Sequence, residues 1–185
     1  MKINKFSLLF LIVLPGFLTA CGFHLRGEQD LSAVLPEVKI QGIDKYSELG
    51  RDLSRALRAA KVNLDDESDV VLEVGNDNLT KRVLSVDSAG RANQYELNYK
   101  ISFKLVKRIK ENEKARMQVL LPQQTVSAKR EFLFDANLVL AKADEERQLK
   151  KDMREDVMLQ LIRRLVFSLK AENKNSLQPQ NKMNQ

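Results

Sequence analysis

Residues 95–105 leave the chain the least freedom. Tyr95, Leu97, Tyr99, Ile101, Phe103 and Leu105 alternate with Glu96, Asn98, Lys100, Ser102 and Lys104, so one face is apolar and the other wet over eleven residues. A period of two is the period of a strand, because successive side chains point to opposite faces. One wet face means a sheet covered on one side only, which is the habit of antiparallel sheets. The chain must therefore supply further strands beside this one and a cover for its apolar face.

The cover is legible at two places. From Ser47 the apolar residues Leu49, Leu53, Ala56, Leu57 and Ala60 recur at three and four, with Arg51, Arg55 and Arg58 on other faces. This predicts an amphipathic helix with Ser47 as its cap and Glu48 in its first turn. Near the C-terminus Leu149, Met153, Val157, Leu161, Leu165 and Leu169 form a second stripe at helical spacing, a long helix laid on the sheet. Further strands are predicted at 36–40, ended by Gly42, and at 69–74, continued by 79–86. Asp87-Ser88-Ala89-Gly90 reads as the turn of a hairpin into the long strand. A last strand, in which Val126, Ala128, Phe132 and Phe134 alternate, places Arg130 on the apolar side, where it either snorkels at a sheet margin or reaches a partner. Residues 22–35 read as an extended lead-in, and the charge run 107–116, which has no apolar period, reads as a solvated loop. The sum is an α+β sandwich in the order β-α-β-β-β-α, two helices on one face of a roughly four-stranded, mainly antiparallel sheet.

The N-terminus addresses a different question. Lys2 and Lys5 precede a nearly continuous apolar run from Phe6 to Phe17, and Leu18-Thr19-Ala20-Cys21 follows it. This is a secretory signal ending in a lipobox, too short for a comfortable membrane span. Residues 1–20 are then a signal peptide, and Cys21 becomes the first residue of the mature chain, carrying an S-diacylglycerol and an N-acyl group. Acyl chains contribute about 0.8 kcal/mol per buried methylene, enough in combination to hold a domain at a membrane surface. Cys21 is the only cysteine, so no disulfide forms within one chain and the fold rests on its core. Residues 21–172 make one domain, and 173–185, rich in Asn, Gln, Lys and Pro, carry too little apolar area to offset their ordering entropy and are expected to be disordered.

Charge and motifs narrow the function. The formal charge of +6 falls by two when Lys2 and Lys5 leave with the signal. Export argues against nucleic acid as the partner of this basic surface; anionic lipid or a polyanionic surface glycolipid suits it better, and a mixed solvated surface is the plain alternative. The single histidine, His24, has no Cys, Asp or Glu at ligand spacing, so no metal site is expected. There is no Gly-rich phosphate loop, no G-x-S-x-G and no H-E-x-x-H. Asp144-Glu145-Glu146 sits where acidic residues suit a helix start. No enzyme and no cofactor, apart from the covalent lipid, is expected.

Cys21-Gly22-Phe23-His24-Leu25-Arg26 resembles the mature start of the LptE (RlpB) family of lipopolysaccharide-assembly lipoproteins. Matches follow in order at Leu53-Ser54-Arg55-Ala56, Gln94-Tyr95-Glu96-Leu97, Ser127-Ala128-Lys129, Leu140-Ala141-Lys142 and Gln160-Leu161-Ile162-Arg163-Arg164-Leu165. The resemblance implies a lipid-anchored protein that sits one-to-one inside the lumen of an outer-membrane barrel, LptD, as assembly partner and plug, and that binds lipopolysaccharide. Gly22, rather than Asp, after the cysteine is similar to lipoproteins sorted to the outer membrane. Among candidate binding residues, Lys142 matches a family lysine implicated in lipopolysaccharide binding. The family's second cation, an arginine of the hairpin turn, aligns with Ser88, and Arg91 in the same turn is its candidate substitute. Lys81 and Arg82 on the adjoining strand are candidates to extend the patch. Phosphates and acyl chains together call for cationic donors beside apolar area. A solvated lysine before a helix remains the plain reading of Lys142, and a purely structural lipoprotein that buttresses a barrel without lipid recognition remains the alternative function.

Overall fold

A computed structural model describes residues 30–111 and 114–176, with the side chains of 110–114 and 173–176 excepted. The signal, the lipobox with Cys21, His24 and the start of the lead-in lie outside the described residues. The elements are β1 (Glu37–Gln41), α1 (Glu48–Ala59), β2 (Asn63–Leu64), β3 (Val70–Val74), β4 (Asn78–Val86), β5 (Ala92–Glu111), β6 (Lys114–Leu133) and α2 (Val139–Ser176), the last preceded by a 3-10 turn at Ala136–Leu138.

The expected α+β architecture with two helices is observed, with six strands in place of about four. β5 is the spine. On one side it pairs antiparallel with β4 and then, further along, with β3; on the other it pairs antiparallel with β6 along nearly its whole length. The short β1 lies parallel to both β3 and the two-residue β2, so the sheet is mixed at that margin. Gly75 breaks the expected continuity of 69–86. β3 and β4 are separate strands that pair with successive stretches of β5.

The charge run is a correction. Residues 107–111 end β5 and 114–116 begin β6, so the segment read as a loop is part of a long hairpin, with Arg108 opposite Met117 and Ile109 opposite Arg116. A strand that buries neither face needs no alternation of apolar side chains, and its backbone groups are satisfied across the ladder. The lead-in is also not extended throughout: Leu31 accepts from the N–H groups of Val34 and Leu35, and Leu31 and Leu35 are buried in the core.

The core forms where the periods predicted it. Leu97, Tyr99, Ile101, Phe103 and Leu105 of β5 are buried, as are Val126, Ala128 and Phe132 of β6. Against them lie Leu49, Leu53 and Leu57 of α1 and Met153, Val157, Leu161, Leu165 and Leu169 of α2. Ser47 caps α1, its hydroxyl accepting from Gly50 N at 3.0 Å. Arg154 of α2 ties the helices together through Glu48 (3.1 Å) and Asp52 (3.2 Å). Arg130 does lie on the core face, and it reaches a partner: it pairs with Asp156 of α2.

Strand register gives the molecule two poles. The β4–β5 turn (87–91), the C-terminal end of β6 and the start of α2 share one. At the other, Asp69 accepts from Arg108 N, Glu37 is level with Asn63, and Leu31 N bonds to Ala60, so the chain enters at the pole opposite the turn. α2 continues to Ser176, beyond the boundary at 172 set by composition, and 177–185 lie outside the described residues.

Candidate functional site

At the turn pole three segments converge. Asp87 N donates to Arg91 O at 2.8 Å and Gly90 N to Asp87 O at 2.9 Å, closing the hairpin turn, in which Gly90 has a φ of 77°. Phe134 N donates to Asn93 O (2.8 Å), carrying the β5–β6 pairing past the end of β6. Asp135 then caps the 3-10 turn by accepting from Asn137 N at 2.8 Å, and that turn runs straight into α2. Lys142 therefore lies in the first turn of α2 and not before it, a correction that follows from the cap standing at Asp135.

Between these segments is an open cleft of about 580 Å³, lined on one side by Asp87, Arg91, Ala92 and Asn93 and on the other by Leu133, Phe134, the 3-10 turn and Lys142. Arg91 and Lys142, fifty-one positions apart in sequence, thus face one space. Arg91 Nε pairs with Asp87 Oδ2 at 2.9 Å and Lys142 Nζ with Glu145 Oε2 at 2.8 Å. Bonds from the Arg91 N–H and guanidinium outweigh burial and hold the Asp87 carboxyl below its ordinary range. Two exposed leucines, Leu133 and Leu138, add apolar surface to the lining. An apolar Leu138 ahead of the buried stripe is the sequence signal for this rim.

Lys81 and Arg82 do not join the cleft lining. Lys81 Nζ bonds to Glu146 Oε2 at 2.6 Å and lies 4.3 Å from the centre of the Tyr95 ring and 5.2 Å from that of Phe132. Burial alone would raise the Glu146 carboxyl, but bonds from Lys150 and Lys81 bring it below its usual value. Arg82, on the opposite face of β4, bonds to Glu96 at 2.7 Å, and that contact holds the Glu96 carboxyl low. Alternation along β4 sends these neighbours to opposite faces, so adjacency in sequence does not make one patch. A second cleft, of about 550 Å³ beside α1, is lined by Lys45, Arg51, Arg55 and Arg58 with Asp65 and Asp66, and holds none of the candidates. Among the described residues no helix is long and apolar enough to cross a membrane and no cluster of His, Cys, Asp or Glu could hold a metal ion.

A cleft with two cations on its walls and leucines on its rim can accept an amphiphile that carries both phosphate and acyl chain. The LptE family model, described as lipopolysaccharide-assembly, matches residues 35–165. The LPS-assembly lipoproteins LptE of Photorhabdus laumondii and Pectobacterium atrosepticum are each 29% identical over 168 residues, covering 86% and 85% of this chain and 85% and 84% of theirs. The crystal structure of rare lipoprotein B from Shewanella oneidensis aligns with a TM-score of 0.56 at 27% identity, over 75% of this chain and 97% of that one. The solution structure of lipoprotein B from Nitrosomonas europaea aligns with a TM-score of 0.58 at 28% identity, over 77% and 88%. The match to the family model spans the sheet, α1, the turn-pole cleft and α2 as far as Leu165, and the members are assembly lipoproteins and not enzymes. This chain belongs to the LptE family of lipopolysaccharide-assembly lipoproteins.

Proposed function

We propose that this protein binds lipopolysaccharide at the turn-pole cleft while serving as one-to-one plug and assembly partner of an LptD-like barrel, held on the periplasmic side of the outer membrane by lipid on Cys21. One observation carries the binding part: Arg91 and Lys142 come from distant stretches of chain to line one cleft that also exposes Leu133 and Leu138. Lysine offers a point charge and arginine a planar fork, a pair suited to the phosphates of lipid A, and the apolar rim suits its acyl chains. Lys142 and Arg91 are the primary contacts. Lys81, committed to Glu146 and two rings, and Arg82, bonded to Glu96, have no part in the cleft lining. Membership of an assembly family supports the barrel partner, and the lipobox supports the anchor.

The test has two arms. Full-length tagged protein isolated from detergent-solubilised outer membranes should bring down a large β-barrel in near-equal amount together with lipopolysaccharide. Lys142→Glu and Arg91→Glu should each lower retention of purified lipopolysaccharide about tenfold while the barrel still co-purifies, since charge reversal replaces an attractive contact with a repulsive one. Unchanged retention in both variants would leave a structural lipoprotein that buttresses the barrel. Recovery of the protein without any barrel would remove the assembly role.

A further inference from the structure

The turn-pole cleft contains its own anions. Two cations line it, Arg91 and Lys142, and two acids line it, Asp87 and Asp135. Each cation is already paired within the chain: Arg91 Nε lies 2.9 Å from Asp87 Oδ2, and Lys142 Nζ lies 2.8 Å from Glu145 Oε2. Both pairs are local, i to i+4 across the turn and i to i+3 on the first turns of α2, so neither joins two elements of the fold. A phosphate approaching these cations competes with a carboxylate at each.

We propose that Asp87 and Glu145 are resident counter-ions of the cleft that lower its affinity for a phosphorylated amphiphile and speed its release. The inference rests on the binding reading above and deepens it. Removing a like charge from beside a bound anion strengthens attraction, and freeing the cation removes the exchange that binding otherwise requires. A protein that hands its ligand onward gains from this arrangement, because turnover is limited by release and affinity changes fall mostly on the dissociation rate. The two carboxylates differ in their second duty. Asp87 Oδ1 also accepts from Ala89 N and Arg91 N, both at 2.9 Å, and so holds the turn. Glu145 makes no such contact, and its side chain is 43% exposed.

The variants are therefore Asp87→Asn, whose amide oxygen still accepts from the turn N–H groups, and Glu145→Gln. They are tested singly and together in the full-length mature protein in detergent, with purified lipopolysaccharide as probe and the same preparation after phosphatase treatment as control. Exposed pairs are weak, so each single substitution should tighten binding about threefold and the double about tenfold. The gain should appear as slower dissociation, diminish in high salt and vanish with the dephosphorylated probe. Unchanged or weaker binding by the double variant, with wild-type binding intact, overturns the counter-ion role and leaves the binding site standing. Absence of phosphate-dependent binding by the wild type overturns both. Glu145→Gln alone decides the question if Asp87→Asn loosens the turn, because its carboxylate holds no backbone group.

Discussion

Gly42 shows how a single residue can be legible in position but not in reason. The sequence marks it as the end of β1; the structure adds a φ of 96° and a space in which a Cβ would stand 2.3 Å from the Val74 carbonyl oxygen. Backbone strain and steric overlap then act together. Gly42→Ala should destabilise the fold by about 1–3 kcal/mol, measured as a lower midpoint in urea with an unchanged slope. A midpoint equal to wild type would mean that β1 and β3 can part without cost. Arg130 shows the reverse case: its place on the apolar face was evident from alternation, but its partner, Asp156, depends on how α2 crosses β6, which period alone does not encode. Lys142 and Arg91 were named by resemblance. Their shared cleft follows from the turn at 87–90 and the Asp135 cap, two local conformations that direct distant residues to one place.

At the level of elements, the helices and the apolar halves of β5 and β6 were readable because each buries one face, and burial is what writes a period into sequence. The outermost stretch of the β5–β6 hairpin, 107–109 against 115–119, buries neither face and left only a charge run. Among the described residues β6 pairs with β5 alone, which gives it a long open edge. Such edges recruit foreign strands unless they are obstructed. Here α2 supplies the obstruction at four-residue spacing: Asp156 pairs with Arg130, Gln160 Nε2 donates to the Ser127 carbonyl at 3.1 Å, and Arg164 bonds to Gln124 at 3.3 Å. Replacing Asp156, Gln160 and Arg164 together by Ala should leave the core stripe intact yet promote self-association, seen as concentration-dependent growth in light scattering. A strictly monomeric triple variant would show that the edge needs no guard.

Across the whole molecule the carboxylates set the acid limit. Asp87, Glu96 and Glu146 are all held below their ordinary values of 3.8, 4.5 and 4.5. A carboxylate depressed on folding stabilises the native state at pH above its unfolded value and loses that contribution as pH falls through the folded one. The melting temperature should therefore be level near neutrality and decline from about pH 4.5 downward, less steeply in Glu96→Gln; an unchanged melting temperature from pH 5 to 3 would refute this. A last consequence follows from where the chain enters. Arg91 and Arg108 mark the two poles along β5, seventeen positions or about 55 Å apart at strand rise. Nine chain steps lead from Cys21 to Asp30, a reach of no more than about 32 Å even when fully drawn out. With Cys21 acylated, the entry pole is held within that reach of the leaflet, whereas the Arg91–Lys142 cleft, at the far end of β5, is free to lie against the leaflet or away from it.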